Sequence, residues 1–177
     1  MTGIFLYGDA LDKTFGKQIY AAVRRYAPAA YIGGPGLILG NVSDAGLLLI
    51  EAKTLPQQLE HGMVLLKPGI LPSQCALHSG NYTVVVASQH KNALKLLKNV
   101  KCSVITCGIS SYDTLSLSSK DDQHPSVSLQ RSIKKRDGSI QEECELPLHF
   151  DRHYDEYTAL CAAAVLLYCS GEDLLLN

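Results

Sequence analysis

The chain has 177 residues, 46% hydrophobic and 19% charged, with a formal net charge of -1. That length suits one domain able to bury a core, and the composition excludes wholesale disorder, which needs low hydrophobicity and high net charge. The near-neutral balance argues against a nucleic-acid binder that neutralises phosphates, and no apolar run reaches the roughly 18–20 residues that span a bilayer. Residues Met1 to Asp9 carry no basic segment and meet an acid too early for a secretory signal. The expected compartment is therefore the cytoplasm.

The first two-thirds of the chain alternates strand and helix. Gly3 to Gly8 reads as a short buried strand, and Lys13 to Tyr26 as an amphipathic helix with Phe15, Ile19, Ala22 and Val23 on one face. Pro28 limits that helix, and Gly33-Gly34-Pro35-Gly36 reads as a turn. Ala45 to Ala52 and Met63 to Lys67 are apolar strands, the second stopped by Pro68-Gly69. After a loop over 68–81, Tyr82 to Ala87 is β-branched and apolar, as a central strand requires. A short helix over Lys91 to Val100 and a strand over Ser103 to Cys107 follow. Strands separated by helices imply a parallel sheet with right-handed crossovers.

The pattern changes near Gly108. Thr114 to Ser118, Val127 to Ile133 and Ile140 to Phe150 alternate apolar with polar, which predicts a small antiparallel sheet with one wet face. Lys134-Lys135-Arg136-Asp137-Gly138 reads as its hairpin turn. Asp155 to Tyr168 is apolar nearly all round and predicts a buried closing helix, stopped at Gly171. The expected fold is thus α/β: a mostly parallel sheet flanked by helices over 1–108, then an antiparallel subsheet and a final helix over 109–177, in one domain. The six cysteines show no Cys-x-x-Cys spacing and read as ordinary buried thiols. The six histidines are scattered, so no metal site is predicted.

The strand Val104-Ile105-Thr106-Cys107-Gly108, the antiparallel meander, and the helix Tyr157-Thr158-Ala159-Leu160-Cys161-Ala162-Ala163-Ala164-Val165 come in an order that resembles the second half of the central, ATP-binding domain of Mur ligases. That family joins amino acids to a nucleotide-sugar peptide in bacterial wall synthesis. The resemblance extends to the first strand and helix, and to Leu48-Leu49-Ile50-Glu51, where the family has a metal-binding glutamate. The runs Cys107 to Thr114 and Ser128 to Arg131 are also similar to short Mur-ligase-like bacterial proteins. The resemblance implies a P-loop-like fold and a link to cell-wall synthesis.

The departures bear on function. The family's phosphate loop reads T-G-T-x-G-K-[ST], and here Tyr7-Gly8-Asp9-Ala10-Leu11-Asp12-Lys13-Thr14 keeps the leading glycine and the Lys-Thr pair. It has one extra residue between them, and Asp12 replaces the glycine before the lysine. Asp9 and Asp12 would meet a triphosphate with like charge, so ATP with magnesium is not expected as a cofactor. At the closing helix the family's base-contacting amide is replaced by Thr158, with Tyr154 and Asp155 where its histidine and first asparagine fall. A ligase must position three substrates together, and this chain is expected to be too short to do so alone.

The candidate nucleotide-binding residues are Gly8, Lys13 and Thr14, read against a solvated helix start with Asp12 as N-cap. Glu51 lies at a strand's C-terminal end, where open α/β sheets place ligands. Ser110, Ser111 and Asp113 form a hydroxyl-rich turn that suits either a small anion or its own backbone. Gln130 and Arg131 are further cleft candidates on the small sheet. No residue is assigned to catalysis. The preferred reading is a non-catalytic binding or assembly module that has lost its nucleotide apparatus. The alternative is a nucleotide-binding or ligase-related partial enzyme acting with a separate partner. Leu174-Leu175-Leu176 are expected at the contact of a homodimer.

Overall fold

The computed structural model describes residues 1–57, 59–73, 75–121, 123–151 and 153–170. In chain order the elements are β1 (Thr2–Tyr7), α1 (Thr14–Val23), β2 (Ala29–Ile32), β3 (Ile38–Leu39), β4 (Leu47–Ala52), β5 (Met63–Leu66), β6 (Thr83–Ala87), α2 (Lys91–Leu97) and β7 (Ser103–Cys107). Then come β8 (Leu115–Ser119), β9 (Ser126–Leu129), β10 (Ile133–Lys134), β11 (Ile140–Gln141), β12 (Cys144–Pro147) and α3 (Glu156–Cys169).

Ten strands form one sheet, in the order β12-β9-β8-β7-β6-β5-β1-β4-β2-β3. The run from β2 through β4, β1, β5, β6 and β7 to β8 is parallel, while β3 and β9 are antiparallel to their neighbours. Strands β5 and β6 are buried at every residue, as expected of parallel strands covered on both faces. One face carries α1 and α3, which pack on each other over Ile4, Leu6, Leu49, Leu65, Val85 and Ile105. The other face is thinner. Val64, Leu66, Val84 and Val86 are covered there by α2 and by the loops bearing Leu55, Leu59, Ile70 and Leu77.

The closing helix is held by its whole circumference. Twelve of its 14 residues are buried, so the all-round apolar pattern is satisfied inside the chain's own core. Its start is capped by Asp155, whose carboxylate accepts the Thr158 backbone N–H at 3.0 Å. The Tyr157 hydroxyl donates to Leu66 O at 2.7 Å, which pins α3 to the end of β5. The predicted stop at Gly171 and the three terminal leucines lie outside the described residues.

Several expectations are corrected. The small antiparallel subsheet is present but holds fewer strands than expected: β8 pairs in parallel with β7 at Cys107 and Leu115, so β8, β9 and β12 extend the main sheet. Only the hairpin β10–β11 stands apart, with its predicted turn closed by Gly138 at φ 90°. The strand predicted over Val127 to Ile133 breaks at Gln130, where the chain leaves β9 for that hairpin. Strands β2 and β3 were not predicted. β2 is four residues, two of them alanine, and its extended form is imposed by pairing with β4. In α2 only Ala93 is buried, and Leu94 is exposed.

Candidate functional site

Strand β1 lies between β4 and β5, and the chain runs outward from it to both sides of the sheet. At such a switch point the crevice beyond the C-terminal strand ends is where open α/β sheets place ligands. The residues 8–14 loop occupies this position, between the end of β1 and the start of α1.

The centre of the arrangement is Lys67, the residue after β5, which the sequence reading did not single out. Its side chain is 1% exposed and runs under the loop. Its ammonium donates to Asp9 O at 2.7 Å, to Asp12 O, and to Glu51 Oε2 at 2.8 Å. An ammonium has three donors, and all three are used. Glu51 is held from both oxygens, since Oε1 accepts the Tyr31 hydroxyl at 2.9 Å. Burial, and next the bond to Glu51, push the Tyr31 phenol well above its ordinary range. Desolvating two charges costs several kcal/mol each, and complete hydrogen bonding is what makes such a pair tolerable inside a protein.

Two glycines let the site close. Gly8 has φ 145°, and a Cβ there would stand 3.0 Å from Lys67 Cβ. Gly16, in the first turns of α1, lies over the buried acid: a Cβ would meet Glu51 Oε1 and Tyr31 Cε2 at 2.6 Å. Gly16 belongs to the site, and helix periodicity alone gave no signal for it.

The other loop candidates are also turned inward on the protein. Lys13 donates through Nζ to Ala10 O within the loop, and it occupies the N-cap position of α1 without a side-chain cap bond. Asp12, expected as the cap, instead accepts the Thr14 backbone N–H at 2.9 Å, and Asp9 accepts that of Leu11 at 2.9 Å. A phosphate loop works by aiming successive N–H groups at an anion. In this loop the carbonyls of Asp9, Ala10 and Asp12 face lysine ammonium groups, so its inner lining is that of a cation site already filled by Lys67.

Glu51 therefore lies in one region with Gly8, Lys13 and Thr14, paired there with Lys67. The remaining candidates lie elsewhere. Asp113 is buried, accepts the Ser110 N–H at 3.0 Å and donates its own N–H to Ser110 O at 2.9 Å. Ser110 Oγ accepts the Tyr112 N–H at 3.2 Å, while Ser111 is exposed. This turn is thus bonded to its own backbone. Gln130 donates to Ser116 Oγ across the sheet, and Arg131 is exposed.

Two open regions flank the loop. A crevice of about 440 Å³ is lined by Asp9, Leu11, Lys53, Leu71 and Cys75. Burial raises the Cys75 thiol above its usual value, so it is not a poised nucleophile. A second groove of about 440 Å³ runs between α1 and the segment bearing Phe150, Asp151 and His153, with Phe150 and Ala22 in it and Thr14, Lys17, Gln18 and His153 along it. Among the described residues no group of three or more His, Cys, Asp or Glu side chains is arranged to hold a metal ion. Nor is any described helix long and apolar enough to cross a membrane. All six cysteines are free thiols.

The architecture, a mostly parallel sheet around a central β1 with a loop-to-helix start at its switch point, is a Mur ligase-like fold. A murein peptide ligase from Psychrobacter arcticus 273-4 superposes with a TM-score of 0.58 at 13% identity, over 96% of this chain and 44% of that one. The UDP-N-acetylmuramoylalanyl-D-glutamyl-2,6-diaminopimelate--D-alanyl-D-alanyl ligase from Acinetobacter baumannii gives 0.55 at 14% identity, over 99% and 45%. A structure of MurF from Acinetobacter baumannii gives 0.54 at 15% identity, over 99% and 44%. The chain spans less than half the length of these ligases. No family model matches the sequence, and no curated protein does.

Proposed function

We propose that this protein is a non-catalytic binding or assembly module on the Mur ligase-like fold, with its former phosphate loop converted into a self-contained structural element. The observation that carries this reading is Lys67. Its three donors are spent on Asp9 O, Asp12 O and Glu51 Oε2, so this buried ammonium has none left for a phosphate. The glutamate at the family's metal position is neutralised by the same ammonium. On this reading ATP with magnesium is not a cofactor, and the chain works in the bacterial cytoplasm.

An assembly role is supported by exposed apolar side chains at the C-terminal end of the sheet. Leu11 is 80% exposed, Ile109 82% and Tyr112 79%, all on loops at the C-terminal ends of β1 and β7. Exposed large apolar side chains at such an edge mark a contact surface. The partner class is a second copy of this chain or a protein of cell-wall peptide ligation.

A second reading is a partial enzyme that binds a nucleotide beside a separate partner. The groove along Thr14, Lys17, Gln18 and His153 favours it, having an apolar floor with polar edges next to the loop.

Thermal melting with ATP, ADP, UDP-sugars and magnesium separates the two, because a ligand of the native state raises the apparent melting temperature. The expected result is no shift with millimolar ATP and magnesium. An upward shift that Lys13→Ala abolishes overturns the non-catalytic reading.

A further inference from the structure

The β10–β11 hairpin folds against the end of the sheet opposite the 8–14 loop, beside the starts of β6 and β7. Its turn is fixed from within. Lys135 N–H donates to Ser139 O at 2.8 Å, and Gly138 N–H to Lys135 O at 3.1 Å. The Asp137 carboxylate accepts both the backbone N–H and the hydroxyl of Ser139, at 2.9 and 2.6 Å. Two further bonds tie the turn to the body. Arg136 N–H donates to Tyr168 O on α3 at 3.0 Å, and its Nη1 donates to the Thr2 hydroxyl at the start of β1.

This anchoring holds three consecutive cations, Lys134, Lys135 and Arg136, around a recess of about 120 Å³ shared with His61, Asn81 and Ser103. Among the described residues none of the three cations forms an ion pair. One acid, Asp137, also lines the recess, and its carboxylate is engaged by Ser139. A run of basic residues on a mobile tail is merely solvated. Here the backbone is bonded at both ends and the arginine is pinned to β1, so the charges stay together although the whole chain carries only -1.

We propose that this recess binds a doubly charged oxyanion of phosphate size. Like charges held close repel one another, and an anion between them removes that cost. Arg136 offers guanidinium N–H groups beyond the one given to Thr2, in a fork that suits an oxyanion, while Lys134 and Lys135 add compact charge. Asn81 and Ser103 supply neutral donors at the wall. The recess, about 120 Å³, has room for a single phosphate group. The bound anion bridges the hairpin to the N-terminal ends of β6 and β7, and thereby stabilises the edge on which α3 ends. Lys67 and the 8–14 loop take no part, so this inference stands apart from the proposed function.

The test uses the full chain in a phosphate-free buffer at constant ionic strength, titrated with inorganic phosphate, glycerol 3-phosphate or acetate. The readouts are melting temperature and calorimetric binding. Both phosphates, at about 10 mM, are expected to raise the melting temperature by mass action while acetate does not. Tighter binding of the ester than of the free ion assigns the site to an organic phosphate, and the reverse assigns it to phosphate itself. Lys134→Ala combined with Lys135→Ala is expected to weaken binding about tenfold or more, with an unchanged circular dichroism spectrum. Lys13→Ala is expected to leave binding intact, which separates this site from the loop. No binding to the wild-type chain, equal binding to the double variant, or acetate acting as well as phosphate overturns the proposal.

Discussion

Lys67 Nζ lies 2.8 Å from Glu51 Oε2, with 1% of each side chain exposed. The two residues come from the ends of β5 and β4, on opposite sides of β1, and the lysine side chain crosses beneath the loop that leaves β1. The pair thus joins three parallel strands and one loop at the point where a ligand crevice opens.

Breaking this pair from one side is expected to be costly. Lys67→Met leaves a buried carboxylate without its counter-charge and two loop carbonyls without a donor, for a loss of about 3–5 kcal/mol. Glu51→Leu strands the ammonium in the same way. The double variant is expected to lose less than the sum of the two singles, since no uncompensated charge remains. Urea denaturation of the four proteins checks this, and strict additivity would show that the residues do not act as a pair.

Gly16→Ala tests the packing above Glu51. Helix propensity alone predicts a gain of about 1 kcal/mol, because alanine is the better helix former. The added Cβ would instead stand 2.6 Å from Glu51 Oε1 and 2.7 Å from Leu6 Cδ1. Overpacking of this kind costs about 1–3 kcal/mol, so the net change is expected to be a loss. A stabilised Gly16→Ala protein would mean that α1 stands further from β4 than described.

Alkaline pH is expected to destabilise the protein through its buried phenols. Burial raises Tyr31, Tyr157 and Tyr168 above the ordinary value of 10.0, and the bond to Glu51 raises Tyr31 further. A group whose folded value lies above its unfolded one contributes stability that is complete below the unfolded value. That stability is lost as pH rises towards the folded one. The unfolding free energy should therefore be flat up to about pH 10 with respect to these groups and fall beyond it. Denaturation midpoints across this range, with phenolate absorbance followed in parallel, give the check. Full phenolate formation in the still-folded protein near pH 10 would contradict the burial of all three.

Self-association is the fourth expectation. The α3 helix is consumed by the chain's own core, so a contact must use other surface, either the exposed Leu11, Ile109 and Tyr112 or the Leu174 to Leu176 segment outside the described residues. Light scattering at tens of micromolar is expected to give a dimer mass. A monomer mass counts against it, and a Leu175→Asp dimer of unchanged mass moves the contact to the loop rim.

The order and type of most elements were legible in the amino-acid sequence. Its signals are local: the unbroken apolar runs of β5 and β6, the 3.6-residue stripe of α1, the all-round apolar α3, and the Asp137-Gly138 turn each carry their meaning within a few residues. The order of these elements also sufficed for the Mur ligase-like architecture. Which polar groups meet at the central site is set by tertiary structure alone. Glu51 and Lys67 are 16 positions apart, and each is unremarkable as a polar residue at the end of an apolar strand. They meet because β1 inserts between β4 and β5 and sets both ends at one level. The substituted acids at Asp9 and Asp12 signalled an altered loop, but the decisive groups are their backbone carbonyls, whose direction no side-chain pattern records. The same holds for β2, which becomes a strand because β4 offers it a partner, and for Gly16, whose missing Cβ matters only once Glu51 and Tyr31 lie beneath it. Periodicity reports which face of an element is buried; which polar groups meet inside is set by long-range strand order, and there a buried charge must find its partner or not be buried at all.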